Sequence, residues 1–179
     1  AMIAVLMVSG LAESRPQKAP DVSFDQGFAL VVKQVLPAVV NIASSRTVQT
    51  SPEGDWFFGR QFPVPQERRE HSLGSGVIID PAGYVITNNH VIEGATEIKV
   101  SLFDKRDFNA SVVGTDPKTD VALLKIDANN LPVLPLGDSS AVEIGEFVLA
   151  VGNPFGVGQT VTFGIVSATG RGGLGIEAY

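Results

Sequence analysis

The spacing of apolar residues changes along this chain, and each change marks a new element. Phe24, Phe28, Val31 and Val35 recur at spacings of four, three and four, which places them on one face of a helix. Ser23 and Gln26 form a capping box at its start, and Pro37 ends it, because a proline ring has no N–H to continue the ladder. Residues 39–48 then read as a strand. Residues 49–70 lose periodicity: Pro52, Pro63 and Pro65 alternate with Trp56, Phe57, Phe58 and Phe62, and Glu67-Arg68-Arg69-Glu70 follows. That predicts a long loop, of a length that is uncommon in compact domains and often functional.

From Leu73 the period is two. Residues 76–80 and 84–87 flank Pro81-Ala82-Gly83 as a hairpin, residues 98–103 and 108–113 flank Asp104-Lys105-Arg106-Asp107 as another, and 120–126 is a further strand. Asn129-Asn130-Leu131-Pro132 reads as a linker. Beyond it, residues 145–151 and 160–167 pair around Gly152-Asn153-Pro154-Phe155-Gly156. Short strands at this spacing, without long alternating helices, predict an all-β barrel or sandwich with a second unit beginning near residue 132. At the other end, residues 1–12 are apolar but too short to span a bilayer. The small residues Gly10-Leu11-Ala12 and the polar stretch 13–18 make this the end of a signal peptide or an N-terminal anchor, with a buried strand or helix as the alternative. The expected organisation is a leader or anchor remnant with a polar tail over 1–22, the helix and a first β unit over 23–131, and the opening of a second β unit over 132–179.

Composition narrows the chemistry. A length of 179 residues with 44% hydrophobic content fits a globular chain with a sizeable core. A net charge of −6 leaves no electrostatic footprint for nucleic acid. Zero cysteines exclude a thiol nucleophile, a disulfide framework and a cysteine zinc site, and with two histidines no metal or other cofactor is expected.

The candidate chemistry lies in Thr87-Asn88-Asn89-His90-Val91-Ile92-Glu93-Gly94, where an apolar strand ends in a sharp turn carrying a histidine. A neutral imidazole at a strand end can take a proton from a hydroxyl and return it to a leaving amine. His71, in the charged run, reads as a solvated loop residue. Asp120 leads directly into an apolar strand, where a carboxylate can fix the tautomer of an imidazole and stabilise its cation. Asp80, Asp104 and Asp107 sit at turns, and Asp116 caps the turn at Pro117. Histidine followed by aspartate, each at the end of its own strand, is the order of a His…Asp…Ser hydrolase. Ser75, Ser139, Ser140 and Ser167 lack the setting of a nucleophile, because none is flanked by the backbone donors an oxyanion needs.

Leu73-Gly74-Ser75-Gly76-Val77-Ile78-Ile79, Thr87-Asn88-Asn89-His90-Val91-Ile92, Thr119-Asp120-Val121-Ala122-Leu123-Leu124-Lys125 and Gly152-Asn153-Pro154-Phe155-Gly156 resemble the HtrA/Do (high-temperature-requirement) serine proteases of bacterial envelopes. The likeness runs from about Phe24 to Tyr179. It implies a chymotrypsin-like double β-barrel, the first complete and the second partial, with His90 as general base and Asp120 as its partner. The family's nucleophile lies in a Gly-Asn-Ser-Gly-Gly motif that this sequence does not contain, and family spacing puts it roughly fifteen residues past Tyr179. The resemblance also implies that residues 49–70, with Trp56, Phe57 and Phe58, form a regulatory loop reaching a neighbouring subunit. It implies that Arg171, within Gly170-Arg171-Gly172-Gly173-Leu174-Gly175, belongs to a loop relaying activation. Phe24 and Phe28 fall where family members make trimer contacts, and equally suit packing on their own barrel. The expected protein is thus an exported, ATP-independent serine endopeptidase of envelope quality control, homotrimeric or larger, acting on unfolded polypeptides. As given, the chain is expected to be inactive alone. The rival reading is a non-catalytic barrel that binds unfolded chains.

Overall fold

The computed structural model describes residues 4–7, 27–50, 66–153 and 158–170. Nine strands and two short helices carry the fold among them. In chain order these are β1 (Ala4–Met7), α1 (Ala29–Val35), β2 (Val39–Thr50), β3 (Gln66–Asp80), β4 (Tyr84–Asn88), α2 (Asn89–Ile92), β5 (Glu97–Ser101), β6 (Asp107–Asp116), β7 (Val121–Ile126), β8 (Phe147–Gly152) and β9 (Thr160–Ile165).

Strands β2 to β7 close into a barrel in the order β2-β3-β4-β7-β6-β5, every pair antiparallel. Closure follows from the two-residue period. Alternate positions turn inward, so Val40, Ile42, Ile78, Val85, Val100, Leu124 and Ile126 meet in one core at zero exposure. Gly83 makes the hairpin between β3 and β4 possible. Its φ is +95, and a Cβ there would lie 2.3 Å from the Ile126 carbonyl oxygen.

The second unit is an open three-stranded sheet, β1-β8-β9. It joins the barrel through a small apolar cluster of Val35, Val39, Leu149 and Val151, with Phe28, Val31 and Val32 packed against it. Helix α1 therefore wedges its apolar face between the barrel's first strand and β8. Ala4–Met7 pairs antiparallel with β8, from Ala4 opposite Val151 to Met7 opposite Val148. No described helix is long and apolar enough to cross a membrane.

Four details differ from the sequence reading. Helix α1 starts at Ala29 with Phe28 as an N-cap lacking any side-chain cap; Ser23 and Gln26 lie outside the described residues. Helix α1 ends at Val35, ahead of Pro37 as expected, but the chain coils on through a 3-10 segment, Leu36–Ala38, whose first turn holds Pro37 where its missing N–H is not needed. The predicted loop 49–70 is too long, since β2 and β3 stay paired out to Thr50 opposite Gln66. Charged residues there hide the strand, but Arg46 and Glu70 sit directly opposite and form an ion pair across the ladder. The presumed linker is also structural. Ala128 and Leu131 are buried in the barrel core, and the Leu134 N–H donates to the Ile78 carbonyl at 3.0 Å.

Candidate active site

Strand β4 runs into α2 without a break, and β4 pairs with β7 so that Asn88 lies opposite Val121. This register brings His90, on α2, to the same end of the barrel as Asp120, which precedes β7. The His90 Nδ1 lies 2.6 Å from Asp120 Oδ2, and the His90 backbone N–H donates to Asp120 Oδ1 at 2.8 Å. Burial pushes the Asp120 carboxyl up, but the His90 backbone N–H, the His90 ring and the Asn89 N–H outweigh it and hold the group below the ordinary carboxylate range. Asp120 is therefore ionised at neutral pH. An ionised carboxylate on Nδ1 favours the tautomer that carries the ring proton there, which makes Nε2 the basic nitrogen of the ring.

The turn that presents His90 is held from behind by buried polar groups. The described residues contain five buried polar side chains: Asn41, Ser44, Ser75, Thr87 and Asn89. Ser44 Oγ donates to the Val91 carbonyl, and Thr87 Oγ1 donates to the Ser75 carbonyl at 2.8 Å. Ser75 Oγ accepts the Asn153 N–H at 2.7 Å, and Asn41 Nδ2 donates to the Asn153 carbonyl at 3.0 Å. The Asn89 N–H donates to the Asp120 carbonyl at 3.0 Å. Gly74 completes the packing, because a Cβ there would meet Val91 Cγ2 at 2.6 Å. The polar interior of the barrel thus serves the histidine turn and the start of the loop after β8.

Composition-based reading missed Ser44 and Thr87. The signal was present: Thr87 is in phase with inward-facing Val85, and Ser44 with Val40 and Ile42, so both are polar residues at core positions. The same network explains why Ser75 is not a nucleophile, since it is 2% exposed and its oxygen is engaged. Ser140 Oγ is bonded to Asp138, and Ser167 is exposed with its hydroxyl turned to the Ile165 carbonyl.

A cavity of about 310 Å³ borders His90, with Arg46, Glu70, His71, Ser72 and Glu93 among its walls. His71 was expected in a loop; it lies on β3 and faces the same cavity as His90, because the strand extends through the charged run. Asp116 holds the turn at Pro117, accepting the Lys118 N–H at 3.0 Å. Phe28 stacks on Phe163 of its own chain, with ring centroids 4.8 Å apart. Phe24, Trp56, Phe57, Phe58 and Arg171 lie outside the described residues. No group of three or more metal-ligating side chains converges among the described residues.

A model of the trypsin-like peptidase domain matches residues 74–178, the stretch that holds the His90–Asp120 pair and most of the closed barrel. The chain belongs to that family, within its HtrA/DegP-type branch. It is 45% identical to a probable periplasmic serine endoprotease DegP-like of Halomonas elongata over 95% of its own length and 39% of the relative's. It is 44% identical to the periplasmic serine endoprotease DegP of Salmonella typhimurium over 84% of this chain and 38% of that one. Among solved structures, the HtrA-type protease AlgW with tripeptide matches at a TM-score of 0.70, with 45% identity over 86% of this chain and 44% of that chain. The serine endoprotease from Yersinia pestis matches at 0.62, with 42% identity over 81% and 46%. The chain thus spans under half the length of these relatives.

Proposed function

We propose that this chain is the base-bearing part of a periplasmic serine endopeptidase that degrades unfolded or damaged proteins. His90 is the general base and later the general acid, Asp120 orients and stabilises it, and the attacking serine comes from outside these 179 residues. The observation that carries the reading is the two-point contact of Asp120 on His90, through Nδ1 and through the backbone N–H. That contact fixes the ring's tautomer and its direction together, which a general base requires. In the reaction, His90 Nε2 takes the serine proton as the hydroxyl oxygen adds to the peptide carbonyl. It then returns the proton to the amine as the C–N bond breaks, and water repeats the cycle on the acyl-enzyme.

The 179-residue chain alone lacks the nucleophile and is inactive in this account. A fluorophosphonate probe separates the possibilities: it labels the whole protein on a serine downstream of Tyr179 and leaves the 179-residue chain unlabelled. Stoichiometric labelling of the short chain contradicts the proposal. A whole protein that binds unfolded casein without cleaving it or taking the probe returns the reading to a non-catalytic binder.

A further inference from the structure

Asp120 has a φ of +54. The other non-glycine residues with positive φ among those described, Lys105 and Asn130, lie in a turn and in the connection after β7. Asp120 alone carries this conformation directly into a strand, with a functional carboxylate attached. Left-handed backbone is costly for most residues with a Cβ; aspartate adopts it more readily than most, but it still needs support from its surroundings.

Three consecutive residues supply that constraint. Asn88 Nδ2 and the Asn89 N–H both donate to the Asp120 main-chain carbonyl at 3.0 Å, while His90 supplies its backbone N–H and its ring to the carboxylate. One pair of donors holds the backbone of Asp120 and the other pair holds its side chain. We propose that Asn88 is a positioning residue of the dyad: its side-chain amide clamps the Asp120 carbonyl and keeps Asp120 in the left-handed conformation from which the carboxylate reaches His90 at two points.

Two observations make the asparagine specific rather than incidental. Asn88 is the N-cap of α2, at φ −80 and ψ 146, a position that favours asparagine, but its side chain makes no capping bond to the helix and is spent on the Asp120 carbonyl instead. Its Oδ1 is buried without a partner among the described residues. An amide flip would put that oxygen against the Asp120 carbonyl, acceptor to acceptor, so the orientation is fixed by the network. Burying an unsatisfied oxygen is tolerated here for the sake of the single donor beside it. A valine or threonine would close β4 equally well as a strand residue and would leave the Asp120 carbonyl with the Asn89 N–H alone.

The catalytic consequence rests on the reading of His90 and Asp120 given above, but the geometry does not, so the test is made first on the chain itself. Asn88 does not touch the Asp120 carboxylate. A merely structural asparagine would therefore leave the carboxyl's titration alone, whereas a positioning one would not. In Asn88→Ala, carbon-detected NMR should show the Asp120 carboxyl titrating at higher pH than in the parent chain, as its contacts to His90 loosen. The Asn89 and His90 amides should exchange about tenfold faster, with the β5 amides unchanged. In an Asp120→Gly background, where φ is unconstrained, Asn88→Ala should change the Asn89 exchange little. Should Asn88→Ala not fold, Asn88→Ser, with a donor too short to reach, gives the same readings. Unaltered Asp120 titration and Asn89 protection in a folded variant overturn the proposal. In the whole protein, Asn88→Ala should lower kcat about tenfold and leave KM unchanged. A whole protein insensitive to His90→Ala would sink the catalytic reading while leaving these NMR outcomes standing.

Discussion

The barrel and the second sheet obey the same two-residue alternation and arrive at opposite results. In β7 alternation buries every second side chain, with Ala122, Leu124 and Ile126 at most 1% exposed. In β9 the alternate residues Val161, Phe163 and Ile165 remain 36%, 54% and 52% exposed. Alternation determines which face of a strand is apolar; what packs on that face determines whether it is buried. Closure gives the barrel an inner face that every strand shares, while among the described residues β8 is covered by a small cluster with Val35 of α1 and Val39 of β2, and Phe163 of β9 meets the Phe28 ring. Both His90 and Asp120 stand on the closed unit, and their contacts with each other are made within it.

Core truncation should widen this contrast most. Leu124 is fully buried within a cluster of fourteen residues, so Leu124→Ala leaves a cavity that cannot collapse and should cost about 3–5 kcal/mol in denaturant unfolding. Leu149 belongs to a cluster of four whose neighbours can close in, and Leu149→Ala should cost about 2 kcal/mol. Equal costs would mean that the second sheet is as firmly cored as the barrel.

The seam between the units is the next place to press. Ser75→Ala removes the acceptor of the Asn153 N–H and should destabilise by about 1–3 kcal/mol, with faster exchange of the β8 amides and no change in β4. Loss of protection in β4 instead would show that barrel and sheet unfold as one unit.

Acid should produce the smallest effect, and a substitution reads out the dyad's share of it. Because the Asp120 carboxyl is held below its ordinary value in the folded chain, its contribution to stability is complete above the unfolded value, about pH 4. It is lost as pH falls through the lower folded value. Asp120→Asn should flatten that part of the stability-against-pH curve. An unchanged acid limb in Asp120→Asn would assign the acid sensitivity to other carboxylates, with Asp104, Asp107 and Asp138 the remaining described groups held low.

Much of this arrangement was legible in the residues. The hairpin around Pro81-Ala82-Gly83 followed from alternation and turn chemistry, and His90 and Asp120 were each legible at the end of a strand, whereas the pairing of those two strands is visible only in the register. The extension of β3 through Glu67-Arg68-Arg69-Glu70 was hidden because strands with one face in water need not be apolar. The helix start was displaced because a capping box is a local signal, whereas α1 begins where its apolar face meets β8. The left-handed backbone of Asp120 left no mark, since aspartate is common at ordinary strand starts and only the converging donors of residues 88–90 reveal the difference.

The role of His90 is tested most directly by comparing kcat/KM in the whole protein, with a peptide substrate, between His90→Ala and His71→Ala. Both histidines border the same cavity, but only His90 is held by an ionised aspartate. His90→Ala should lower kcat/KM by about four to six orders of magnitude in a folded protein, and His71→Ala by less than about tenfold. Near-normal turnover in His90→Ala, with the loss appearing in His71→Ala instead, would contradict it.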